Sequence, residues 1–124
     1  TADGYFRSQD GEWDSNGQVL WLCARHAAVT RRAPDAPTLR ALRAAAEWII
    51  RKRLPRKLAS VHAGLMPAGF SAEHLGPNDY YYWDNYWSVA GLQAAASLFA
   101  ARDAAAAERY AAAARDLTDC IDHS

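Results

Sequence analysis

Between Asn85 and Ala101 the chain runs for 17 residues without a single charged side chain. A helix of that composition cannot present one face to water, so other elements must cover most of its circumference. At 17 residues, with Asn85, Ser88, Gln93 and Ser97 among many alanines, the run is short and polar for a membrane span and is predicted to be a core helix. The rest of the chain must supply its cover. The composition allows it: 51% of the 124 residues are hydrophobic, 23% are charged, and 14 basic residues balance 14 acidic ones. That is globular composition with no net field towards nucleic acid or an anionic membrane.

Three further helices are expected. Ser15 and Gln18 form a capping-box pattern ahead of Val19-Leu20-Trp21-Leu22-Cys23-Ala24, which predicts a helix over 16–30, apolar on nearly every side and therefore enclosed. After the breaker at Pro34 and Pro37, residues 38–53 place Leu39, Leu42, Ala46, Ile49 and Ile50 on one face and Arg40, Arg43, Glu47 and Arg51 on the other. The helix that carries the charge-free run is expected over 84–102. A last helix over 103–121 aligns Tyr110, Ala113, Ala114, Leu117 and Ile121. Trp21, Leu22, Val89 and Leu92 are expected to be buried. The basic cluster Arg51-Lys52-Arg53 with Arg56 and Lys57 suits a helix C-terminus.

Residues 54–79 hold no period and carry Pro55, Gly64, Pro67, Gly69, Gly76 and Pro77. A loop of this length in a compact domain is a functional one, and Leu65, Met66, Phe70 and Leu75 are expected to pin it down. It leads into Tyr80-Tyr81-Tyr82-Trp83-Asp84-Asn85-Tyr86-Trp87. Aromatic rings with polar tips beside a carboxylate suit a ring-shaped polar ligand, of which a sugar is the obvious case. The same residues also read as core rings with Asp84 as a helix cap.

Trp13-Asp14 and Trp83-Asp84 are 70 residues apart, and each precedes an apolar helix followed by an amphipathic one. The fold class expected is all-α, built of αα-hairpins in the manner of a partial toroid or solenoid. Two hairpins do not close a ring, so the expected partners are further hairpins of a longer parent domain or a second copy of the chain. Cys23 and Cys120 lack metal or redox spacing, and the absence of a disulfide framework points to the cytoplasm. His26, His62, His74 and His123 are scattered, so neither a metal nor another cofactor is expected.

Tyr81-Tyr82-Trp83-Asp84-Asn85-Tyr86 resembles the aromatic-Trp-Asp signature of trehalases, and the segment from Asp10 to Trp21 is similar to a loop-to-helix segment of the six-hairpin glycosidases, which include glucoamylases and trehalases. The resemblance implies a piece of an (α/α)6 barrel whose inner-helix N-termini surround a sugar pocket. It also implies inverting acid/base hydrolysis of α-glucosidic oligosaccharides by two carboxylates, about 6.5–9.5 Å apart. Glu73-His74-Leu75-Gly76 is similar to the Glu-x-x-Gly loop carrying the general acid in glucoamylases, although Ala72 stands where that pattern has Trp.

On this reading Glu73 is the catalytic acid, kept protonated by partial burial, and Trp83, Asp84, Tyr82, Asn78, Trp13, Asp14 and Gln18 bind substrate. Asp84 would accept sugar hydroxyls as an anion stabilised by the helix N-terminus, with Tyr82 and Asn78 at the edge of Trp83. The isolated chain is expected to show no appreciable turnover, because it supplies only part of a pocket. A non-catalytic αα-repeat scaffold that binds a protein or peptide is the alternative.

Overall fold

The computed structural model describes residues 1–73 and 75–124. It is all-helical: α1 spans Ser15–Thr30, α2 Ala36–Lys52, α3 Tyr82–Phe99 and α4 Ala104–Asp122. Among the described residues no strand forms, and the one isolated bridge pairs Gly69 with Asp79. α3, which carries the charge-free run from Asn85, lies centrally and packs on α1, α2 and α4.

The helix starts follow local chemistry. Asp35 caps α2 by accepting the Thr38 amide at 2.9 Å, and the helix begins two residues before the expected start because Pro37 fits its first turn. Asp103 caps α4 by accepting the Ala106 amide at 3.0 Å, which ends α3 at Phe99 rather than at 102. The capping box expected at Ser15 does not form. Ser15 donates its hydroxyl to the Phe6 carbonyl, and Gln18 turns to the Asp14 side chain, so α1 starts without a side-chain cap.

Two buried asparagines organise the fold. Asn16 accepts the Phe6 amide at 2.8 Å and donates to the Gly4 and Ala45 carbonyls at 2.9 and 3.1 Å. Asn85 accepts the Met66 amide at 2.9 Å and donates to the Tyr81 carbonyl at 2.9 Å. Each pins the incoming loop to the first turns of its helix, and they stand 69 residues apart. The two Trp-Asp pairs differ in their surroundings: Trp13 lies in a cluster with Tyr5 and Trp48, under the Lys52 ammonium at 3.9 Å, while Trp83 is half exposed. Asn16→Ala is expected to cost about 2 kcal/mol, because it strands two buried carbonyls, of Gly4 and Ala45, and the part-buried Phe6 amide. Urea denaturation measures this, and a loss under about 0.5 kcal/mol would show that the polar anchor is dispensable.

The long loop is held at both ends of its course. Leu54 donates to the Leu65 carbonyl at 2.8 Å, and Arg53 donates to the Gly64 carbonyl at 2.6 Å and to Asp116 on α4 at 2.6 Å. Further on, Gly69 and Asp79 exchange amides at 2.9 and 3.0 Å, and the Phe70 amide donates to Gly11 at 2.8 Å. Leu65 and Met66 are buried as expected; Phe70 and Leu75 are exposed, because Phe70 lies over Gly11 at the surface. The basic cluster is largely spent on such contacts: Arg51 and Lys52 close α2, and Arg56 joins Arg53 on Asp116.

The enclosure expected of α1 is not found. Leu92 is buried and Val89 partly so, but Trp21, Leu22 and Val29 are 42%, 62% and 77% exposed. α1 meets α2 and α3 on one side only. No helix among the described residues is long and apolar enough to cross a membrane.

Candidate functional site

The N-terminal ends of α1 and α3 lie side by side because two glycines let the helices touch. A Cβ on Gly17 would stand 2.0 Å from the Trp87 carbonyl oxygen, and one on Gly91 would stand 2.5 Å from the Gly17 Cα. That approach brings three acidic residues together at the helix mouths: Glu12, Asp14 and Asp84.

Asp14 is the centre. Its Oδ2 accepts the Trp83 indole N–H at 2.7 Å and the Gln18 amide at 2.7 Å, so one carboxylate oxygen takes donors from both helices. These bonds fix the Trp83 ring, which remains half exposed. Trp83 meets Trp87 edge to face at 6.0 Å, Trp87 meets Trp21 likewise at 6.0 Å, and the Arg25 guanidinium lies 5.8 Å from the Trp21 ring. The result is a ridge of three indoles running outward from the carboxylates. Trp21, expected to be buried, is instead 42% exposed on this ridge. The spacing Trp83–Trp87, one helical turn, was the available signal that they share a face.

Asp84 sits behind Asp14 and not at the surface. It is 2% exposed, and its Oδ2 has no hydrogen-bond partner among the described residues. Burial, first, and the nearby Asp14 push its pKa up to about 7, against the opposing pull of the Trp13 backbone amide; Glu12 adds to the rise. The expectation of an ionised, sugar-facing Asp84 stabilised by the helix N-terminus is therefore corrected: low dielectric and like charge outweigh the dipole at this position. Glu12 is also buried, and accepts the Ser8 hydroxyl at 3.2 Å.

Glu73 and Trp83 are brought together. With Ser71, Ala72 and Tyr81 they line a cleft of about 310 Å³. Glu73 is exposed, with its own amide donating to the Ser71 hydroxyl at 3.2 Å, so the partial burial expected of it is not found. His74, the next residue of that motif, lies outside the described residues. Tyr82 is not at the edge of Trp83. Tyr82 points to the other side of α3, where its hydroxyl meets Ser124 at 2.8 Å and its ring stacks on Tyr86, since neighbouring residues on a helix diverge by 100°. Asn78 is exposed on the loop. Trp13 keeps its indole N–H on the Ala68 carbonyl at 3.1 Å, tying the long loop to the mouth.

Chemically, the mouth offers an indole face and an exposed carboxylate, Glu73, across one cleft, backed by buried Asp84, whose pKa is pushed up to about 7. A comparison with protein-family models, with curated proteins and with solved structures found no match.

Proposed function

We propose that this chain forms part of a glycoside hydrolase site for α-glucosidic oligosaccharides, with α1 and α3 as inner helices and α2 and α4 as outer helices of a partial (α/α)6 toroid. The observation that carries this reading is the double role of Trp83: its ring walls the Glu73 cleft while its N–H is held by Asp14. A pyranose stacks on an indole presented in this way, and a fixed ring loses little entropy on binding. Glu73 is the candidate acid at the leaving oxygen, for inverting hydrolysis. Asp14 and Gln18 orient Trp83, and buried Asp84 supports Asp14 from behind.

Binding is the first readout. Titration of the chain with maltose, trehalose and glucose, followed by tryptophan fluorescence and calorimetry, is expected to give saturable binding with a Kd on the order of 1 mM. Trp83→Ala should weaken it at least tenfold, whereas Glu73→Gln should leave it nearly unchanged. Absence of a saturable response in the folded wild-type chain, or retention of binding by Trp83→Ala, rejects the sugar-site reading.

A further inference from the structure

Two of the tryptophans at the helix mouths already hold a cation. The Lys52 ammonium lies 3.9 Å from the Trp13 ring, and the Arg25 guanidinium lies 5.8 Å from the Trp21 ring. Trp83 is the most exposed tryptophan of the chain, at 50%, and among the described residues no cation lies over it. Lys52 is shared with the Trp48 ring, at 5.8 Å, and Arg25 stands two indoles further along the ridge, beyond Trp87.

The cleft beside Trp83 supplies the counter-charge that a cation needs. Its described lining is Ser71, Ala72, Glu73, Tyr81 and Trp83, and Glu73 is the one charged side chain among them. The Glu73 carboxylate is exposed and makes no ion pair among the described residues. Both rings are held by their polar tips: the Tyr81 hydroxyl donates to the Pro77 carbonyl at 2.6 Å, and the Trp83 N–H donates to Asp14 at 2.7 Å. Those tips are occupied, which leaves the aromatic surface as the rings' contribution to a ligand. A carboxylate on the indole N–H also pushes electron density onto the Trp83 ring, which strengthens its attraction for a cation. Behind it, Asp84 is 2% exposed with an unpartnered Oδ2, and the charged groups that act on it, Asp14 and Glu12, are both acidic.

We propose that the cleft of Glu73, Tyr81 and Trp83 binds the quaternary or methylated ammonium group of a small molecule. The two rings attract the cation, and Glu73 neutralises it. A methylated ammonium suits this arrangement better than a bare one, because a bare ammonium is strongly hydrated and gives up its water reluctantly. The volume of about 310 Å³ stands at the small end of ligand sites, which fits a compact head group. This inference does not depend on the sugar-site reading. Both ligands use Trp83, so an ammonium compound and a sugar exclude each other.

Titration of the full chain with choline at constant ionic strength, read by tryptophan emission and calorimetry, tests this. Saturable binding with a Kd on the order of 1 mM is expected. The neutral isostere of choline, with carbon in place of the ammonium nitrogen, has the same shape and should bind about fivefold or more weakly. Glu73→Gln, at an exposed loop position, should weaken choline about fivefold or more and bring the two ligands close to equal affinity. Trp83→Ala should abolish the response, with circular dichroism checking that the helices persist. The proposal is overturned by the lack of a saturable choline response in the folded wild-type chain, by equal binding of the isostere, or by undiminished choline binding in Glu73→Gln. Choline binding in a chain that ignores maltose, trehalose and glucose supports this site and rejects the sugar site alone.

Discussion

Gly17→Ala is expected to destabilise the chain by about 3 kcal/mol or more and to lower Tm by roughly 10–20 °C. The added Cβ would lie 2.0 Å from the Trp87 carbonyl oxygen and 3.1 Å from the Ser88 amide nitrogen. These are backbone atoms of α3 and cannot rotate away as a side-chain tip would. Relief requires α1 and α3 to separate, which opens voids around Leu20, Leu92 and Ala95, all fully buried, and breaks the Trp83–Asp14 hydrogen bond. Thermal unfolding with tryptophan emission reads both consequences. A Gly17→Ala chain that melts within about 2 °C of wild type would show that the helices do not approach this closely.

Asp84 predicts a pH dependence of stability opposite to that of an ion-paired carboxylate. Its folded-state pKa is pushed up to about 7 from an ordinary value of 3.8. Between those values the folded chain binds more protons than the unfolded chain, so stability falls as pH rises through the window. The Asp84 contribution is harmless below about pH 4 and reaches its full cost above about pH 7, at roughly 4 kcal/mol for a shift of this size. Asp84→Asn removes the titration while keeping the side chain's size and a carbonyl acceptor for the Trp13 amide. The variant is expected to be more stable than wild type at pH 8 and to lose that advantage at pH 4.5. Urea midpoints at the two pH values decide it; a variant less stable than wild type at pH 8 would mean that Asp84 is held as a stabilised anion.

The helices were legible because their signals are local. The charge-free run of α3, the one-sided faces of α2 and α4, and the turn residues around them depend on periodicity within a single element, and their boundaries differ from expectation by up to three residues. The errors arose wherever a residue had two possible uses. Ser15 and Gln18 carry the letters of a capping box, but Phe6 and Asp14 compete for their side chains. Trp21 and Leu22 carry the letters of a core helix, but they remain 42% and 62% exposed. Trp13-Asp14 and Trp83-Asp84 look alike in sequence, yet Asp14 stands just ahead of α1 whereas Trp83 and Asp84 lie inside the first turn of α3, so the two pairs sit differently on their helices.

At the candidate site the sequence by itself determined the inventory: aromatic rings, carboxylates and a long loop feeding the start of an apolar helix. It determined that α3 would be central, because its 17-residue charge-free run is the most apolar stretch of the chain; Tyr86, Gln93 and Ser97 nevertheless stay exposed. Only the tertiary structure decided which side chains meet. It set Trp83 over Asp14, buried Asp84 behind them, paired Glu73 with Trp83 across a cleft and turned Tyr82 away. Those outcomes depend on how closely two helices approach and how each is rotated about its axis. Both are settled by contacts between residues about 70 positions apart, Gly17 with Gly91 and Asp14 with Trp83, which no local pattern encodes.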